Sequence, residues 1–102
     1  MPRRRDLSNM PKHVYRELYH FCLQYPDWKE REIFPGSDIQ LIQDTVKETA
    51  PPEAQKALLL NVTQDVNYIA LRMRYDLAVS EHGFQEIRRD FFYNLAKKKG
   101  RI

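Results

Sequence analysis

The sequence predicts an all-α fold, a small helical bundle of about five helices with a C-terminal helix-turn-helix. Apolar residues recur along most of the chain at the three-and-four spacing that lines one face of a helix. No segment alternates with period two over a useful length, so strands are not expected. Prolines, serines and a late glycine fall at the ends of the periodic stretches, where helix starts and stops need them. A length of 102 residues lies inside the usual single-domain range.

The elements follow in order. Residues 1–10, MPRRRDLSNM, lack apolar periodicity and read as a flexible basic leader to a single helical domain over 11–102. Ser8 or Asn9 offers a capping oxygen, and Pro11 suits a first helical position, where its missing N–H is not needed. Val14, Leu18, Phe21, Cys22 and Tyr25 make the first apolar stripe, which Pro26 ends. PDWKEREIFPGS then reads as a connector, with Trp28 and Phe34 folded back onto the core.

Ser37 or Asp38 caps a second helix, buried through Ile39, Ile42 and Val46 with Leu41 beside them. It stops before Pro51 and Pro52, because a residue ahead of proline is pushed out of the helical region. Pro52 opens a third helix, with Glu53 near its positive end and Ala54, Ala57, Leu58 and Val62 facing inward. Val66, Ile69, Ala70, Met73 and Leu77 mark a fourth piece over about 66–75. A tight connection through Asp76 to Val79 leads to the fifth.

That last helix is opened by Ser80, whose oxygen can accept from the free amides that follow, with Glu81 placed well for the helix dipole. At about 100° per residue, Phe84, Ile87, Phe91, Phe92 and Leu95 share one arc. The opposite arc collects His82, Gln85, Glu86, Arg89, Tyr93 and Lys97, and Gly100 is placed to stop the helix.

Chemistry of other kinds finds little support. Cys22 is the only cysteine, so no internal disulfide or cysteine-rich metal site can form, and it reads as a small buried hydrophobe. His13 and His20 share a helix face without a third ligand, so no metal is expected. With only Gly36, Gly83 and Gly100 there is no glycine-rich phosphate loop, and Glu30 and Glu32 lie in a charged connector. No catalytic residue and no cofactor are assigned, and an enzyme is not expected. Tyr15, Tyr19, Tyr68, Tyr75 and Tyr93 lie on or beside apolar stripes, which favours packing over stacking on unpaired bases. No apolar run reaches the roughly 18 residues that span a bilayer, and no apolar stretch follows the basic leader, so a cytoplasmic protein without a membrane partner is expected. Asn61-Val62-Thr63 then reads as a chance match to a glycosylation sequon.

The net charge is +3, but it is unevenly spread. Residues 1–16 carry five basic and one acidic side chain, residues 17–66 four and nine, and residues 67–102 eight and four. Both ends could approach a polyanion that the middle would repel. A helix over about 66–75, a bend, and a capped basic helix together outline a helix-turn-helix over about 66–99. In that motif the second helix enters the major groove of duplex DNA. His82, Gln85, Glu86 and Arg89 would then face bases, with Tyr93 beside them among the DNA-binding residues. Arg72, Arg74, Lys97, Lys98, Lys99 and the Arg3-Arg4-Arg5 arm would hold the backbone. Glutamine suits adenine and arginine suits guanine, whereas Glu81, Glu86 and Asp90 oppose phosphates.

The segment IALRMRYDLAVSEHGFQEIRRDFFYNLAKKKG resembles the promoter-reading C-terminal region of bacterial sigma factors. It shares a short helix with an Ile-Ala pair, a turn ending in serine, and a basic amphipathic helix running to lysines. The tail IRRDFFYNLAKKKG also resembles small phage and prophage regulators of Gram-positive bacteria, of the RinA and ArpU type, and KHVYRELYHFCLQYPDWK is similar to the start of other short proteins of such elements. RYDLAVS departs from the pattern in lacking a glycine, while Gly83 falls inside the next helix, at a cost of about 1 kcal/mol relative to alanine. The resemblance implies a DNA-binding transcriptional regulator of phage or mobile-element origin. The alternative is a phage-encoded interaction module that grips a host protein, RNA polymerase or a defence nuclease, through acidic residues of the middle: Asp27, Glu30, Glu32, Asp38, Asp44 and Glu48.

Overall fold

Proline and capping residues cut the chain into helices that pack around one long aromatic helix. The structure is a computed structural model that describes residues 10–31 and 36–102. Helices run over Lys12–Leu23 (α1), Tyr25–Arg31 (α2), Gly36–Thr49 (α3), Gln55–Gln64 (α4), Tyr68–Tyr75 (α5) and Glu81–Lys98 (α6), with a single 3-10 turn over Pro52–Ala54. Every regular element among the described residues is helical, and the fold is an all-α bundle.

Pro26 starts a helix instead of ending one. Gln24 forms a one-residue turn after α1, and Pro26 then sits at the beginning of α2, where proline lacks no needed donor. Asp27 follows in the first turn, on the favourable side of the dipole. The first half of the expected connector is therefore helical. Trp28 is half-buried and meets Phe21 edge-on at 5.4 Å; Phe34 lies outside the described residues.

Other boundaries move as well, α4 beginning at Gln55 after the 3-10 turn and α5 at Tyr68. Met10 is buried and belongs with the core, not with the leader. Pro11 takes the position before α1, its carbonyl accepting from the Val14 and Tyr15 amides, while Ser8 and Asn9 lie outside the described residues. α3 begins at Gly36, which puts Ser37 and Asp38 inside its first turn, where Asp38 suits the dipole.

α6 is the central strut, about 27 Å long at the usual rise, and it packs against α3, α1 and α4. Its Phe84, Phe91, Phe92, Leu95 and Ala96 are fully buried. α1 runs beside it in the same direction, since Tyr15 meets Phe92 while Phe21 meets Lys99. Leu18, Ile42, Leu58, Val62 and Leu71 close the core from the other helices. Truncating any one of the three phenylalanines to alanine is expected to cost about 3–5 kcal/mol. The radius of gyration is 13.5 Å.

Candidate functional site

The bend between α5 and α6 is built by side chains that sequence periodicity does not display. Asn67 opens α5 by accepting the Ala70 amide at 2.9 Å. Asp76 closes it in the left-handed conformation, φ 53° and ψ 50°, with its amide on the Arg72 carbonyl at 2.8 Å. Glycine usually fills such a place, but aspartate is among the few other residues that tolerate it. The missing glycine of RYDLAVS is thus replaced by Asp76.

Leu77 then turns inward, and the Tyr68 hydroxyl donates to the Val79 carbonyl, tying the linker back to the first residue of α5. Ser80 caps α6 by accepting the Gly83 amide at 3.1 Å. A Cβ on Gly83 would stand 3.1 Å from Val79 Cγ1 and 3.3 Å from Ser80 Oγ. The glycine that weakens the helix interior therefore lets the linker lie against its first turn. Tyr68, Arg72, Leu77, Ser80 and Glu81 line an open groove of about 380 Å³ at this junction.

Beyond the bend, α6 presents the expected two faces. His82, Gln85, Arg89 and Lys97 are exposed, and Glu86 and Tyr93 are half-buried along the same stripe. His82 Nε2 lies 2.6 Å from Glu86 Oε2, so that carboxylate is already engaged. Asp90 turns partly inward, with Oδ1 buried and without a hydrogen-bond partner among the described residues. Of the three carboxylates that would oppose a polyanion, Glu81 is exposed and has no ion pair among the described residues.

The cations divide in a way that the sequence does not show. Lys98 Nζ lies 2.6 Å from Glu48 Oε2 of α3. Lys99 Nζ rests 3.8 Å from the centre of the Phe21 ring, and Arg101 reaches Glu17 of α1 at 2.8 Å. These three fasten the tail to the bundle. Lys97 stays on the outer stripe, 5.8 Å from the Tyr93 ring centre, and Arg72 and Arg74 are exposed on α5. Of the eight residues assigned to backbone holding, Arg72, Arg74 and Lys97 stay exposed with no ion pair among the described residues, and Arg3, Arg4 and Arg5 lie outside those residues.

Arg88, next to Arg89, carries a role that sequence reading missed. Its Nε donates to Asn61 Oδ1 and its NH1 to the Tyr15 hydroxyl, both at 2.9 Å, with the guanidinium 5.0 Å from the Phe92 ring centre. Asn61 in turn donates to the Val66 carbonyl at 2.9 Å, fixing the chain that enters α5. Asp65 ends α4 with φ 59°. Its nearby carboxylate, more than partial burial, raises the pKa of the Tyr19 phenol. α1, α4 and α6 are thus joined below the point where α5 departs. The only sequence signal for this was an arginine and an asparagine at core-flanking positions.

Among the described residues, no group of three or more His, Cys, Asp or Glu side chains gathers as a metal ion would need. No helix among them is long and apolar enough to cross a membrane. The acidic middle is partly committed as well, with Asp44 accepting from Gln40 and Glu48 from Lys98, while Glu32 lies outside the described residues. Comparison with protein-family models, with curated proteins and with solved structures finds no match to this chain.

Proposed function

We propose that this chain binds duplex DNA through α5, the bend and the outer face of α6, as a transcriptional regulator of phage or mobile-element origin. The observation that carries the reading is the exposed stripe of His82, Gln85, Arg89 and Lys97 on a capped helix whose opposite face is buried phenylalanine. Buried aromatics hold the helix in place, so only its exposed side chains need ordering on binding. Such a helix fits the major groove, whose edges distinguish all four base pairs.

The roles divide by chemistry. The Gln85 amide suits adenine, and the Arg89 guanidinium suits the two acceptors of guanine. Arg72 stands at the groove beside the first turn of α6, where it would hold a phosphate, with Arg74 and Lys97 adding attraction further out. The resemblance to sigma-factor and phage-regulator segments points the same way. Lys98 and Lys99 already make contacts within the bundle and would have to exchange them to hold phosphates.

Selection of bound duplexes from a random library tests this. The native chain should enrich a defined site. Arg89→Ala should relax preference at one position of it, and Lys97→Ala should weaken binding to all sequences alike. No enrichment, or an unchanged site with Arg89→Ala, contradicts the reading.

A further inference from the structure

The outermost face of α5 is apolar. Ile69 is 66% exposed and Met73 83%, and Ala70 beside them is exposed too. At about 100° per residue, these three share the arc opposite the buried Tyr68 and Leu71. Arg72 falls on one edge of that arc and Arg74 on the other, and α5 holds no acidic residue. Methionine and arginine without lysine or glutamate is the composition of the centre of a protein interface, not of a solvated helix face. Methionine also adapts its shape to a partner at little cost.

Charge selects the occupant. The chain's own leader brings Arg3, Arg4 and Arg5, like charges to those already present. A second copy could offer the apolar groove between α3 and α4, about 200 Å³ beside Val46 and Leu59, but Lys47 and Lys56 line it and would meet the arginines. A phosphate backbone would satisfy the arginines and leave Ile69 and Met73 against charge. An apolar ridge flanked by carboxylates satisfies both features. We infer that the outer face of α5 docks an acidic amphipathic helix of a partner protein. Ile69 and Met73 meet its apolar ridge, and Arg72 and Arg74 pair with carboxylates on either side. The area is small, which places the contact in the weak, transient class. Ile69 and Met73 take no part in the DNA reading, but both readings draw on Arg72 and Arg74, so duplex DNA and the acidic helix would compete for α5.

The test is a selection of helical peptides from a random displayed library against the full chain. The Ile69→Gln/Met73→Gln double variant serves as the comparison, and circular dichroism confirms that it folds. Acidic amphipathic peptides should be enriched. The best of them should bind the native chain at least tenfold more tightly than the double variant and shift the Met73 methyl signal in NMR spectra. Enriched peptides that are not acidic, or that bind the double variant equally, overturn the inference. So does a Met73 signal that moves only with phosphatidylglycerol vesicles, only with duplex DNA, or only with the concentration of the chain itself. Duplex binding is followed in the same samples. Its absence with peptide capture intact sinks the DNA reading and leaves this inference standing.

Discussion

On α6 two consecutive arginines point in different directions, Arg88 into a set of hydrogen bonds and Arg89 into solvent. Hydrogen bonds from a charged donor contribute about 1.5–3 kcal/mol, so Arg88→Ala should destabilise the fold by about 2 kcal/mol. A melting temperature lower by about 10 °C would register it. Arg89→Ala should change stability by less than about 0.5 kcal/mol. Equal losses in the two variants would mean that their roles are not divided. Periodicity placed Arg89 correctly because it separates faces; it could not identify the Tyr15 and Asn61 partners of Arg88, which come from distant parts of the chain. Cys22 gives a second residue-scale test. Burial pushes its thiol from the ordinary 9.0 up to about 12. The native state therefore keeps the proton while the unfolded state loses it near pH 9, so stability falls as pH rises between those values. In urea titrations, the native chain should lose stability across this window more steeply than Cys22→Ala. Parallel loss in both would show that the thiol contributes no such linkage.

At the scale of elements, the faces of α1, α3, α4 and α6 were legible because each spans three turns or nearly so and carries large side chains on one side. The inner face of α5 was not. Its eight residues give barely two turns, and Ile69, Ala70 and Met73, which mark it as helical, are left outside while Tyr68 and Leu71 go in. The Tyr68 hydroxyl and Val79 carbonyl settle that rotation, a contact across eleven residues that no helical pattern encodes. Pro26 was misread for a related reason: proline is as suited to beginning a helix as to ending one. The bend supplies the element-scale prediction. Left-handed backbone is strained for most side chains and free for glycine. Asp76→Gly should hold or raise stability by up to about 1 kcal/mol, whereas Asp76→Val should cost about 1–2 kcal/mol. Denaturant midpoints would show both, and equal effects would contradict a left-handed Asp76. Ser80→Ala should cost about 1 kcal/mol through loss of the cap.

Across the whole molecule, the basic ends and acidic middle seen in the sequence are partly stitched together by folding. Lys98 meets Glu48 and Arg101 meets Glu17, so two cations of the C-terminal segment are paired within the bundle surface. The charge division was legible in the sequence, but which cations stay available depends on which helices become neighbours. In the proposed DNA reading, Arg72, Arg74 and Lys97 would hold phosphates and Arg89 would face bases. Each phosphate contact steepens the salt dependence of DNA affinity by about 0.9 on logarithmic axes. The central claim is therefore tested most directly by titrating a fluorescent duplex that carries the selected site with the full chain over a series of salt concentrations. The account predicts a slope between about −3 and −5, the larger value if the Arg3-Arg4-Arg5 arm joins, and a large loss of affinity in Gln85→Ala/Arg89→Ala. Absence of binding at low salt, affinity indifferent to salt, or full affinity in the double variant would contradict it.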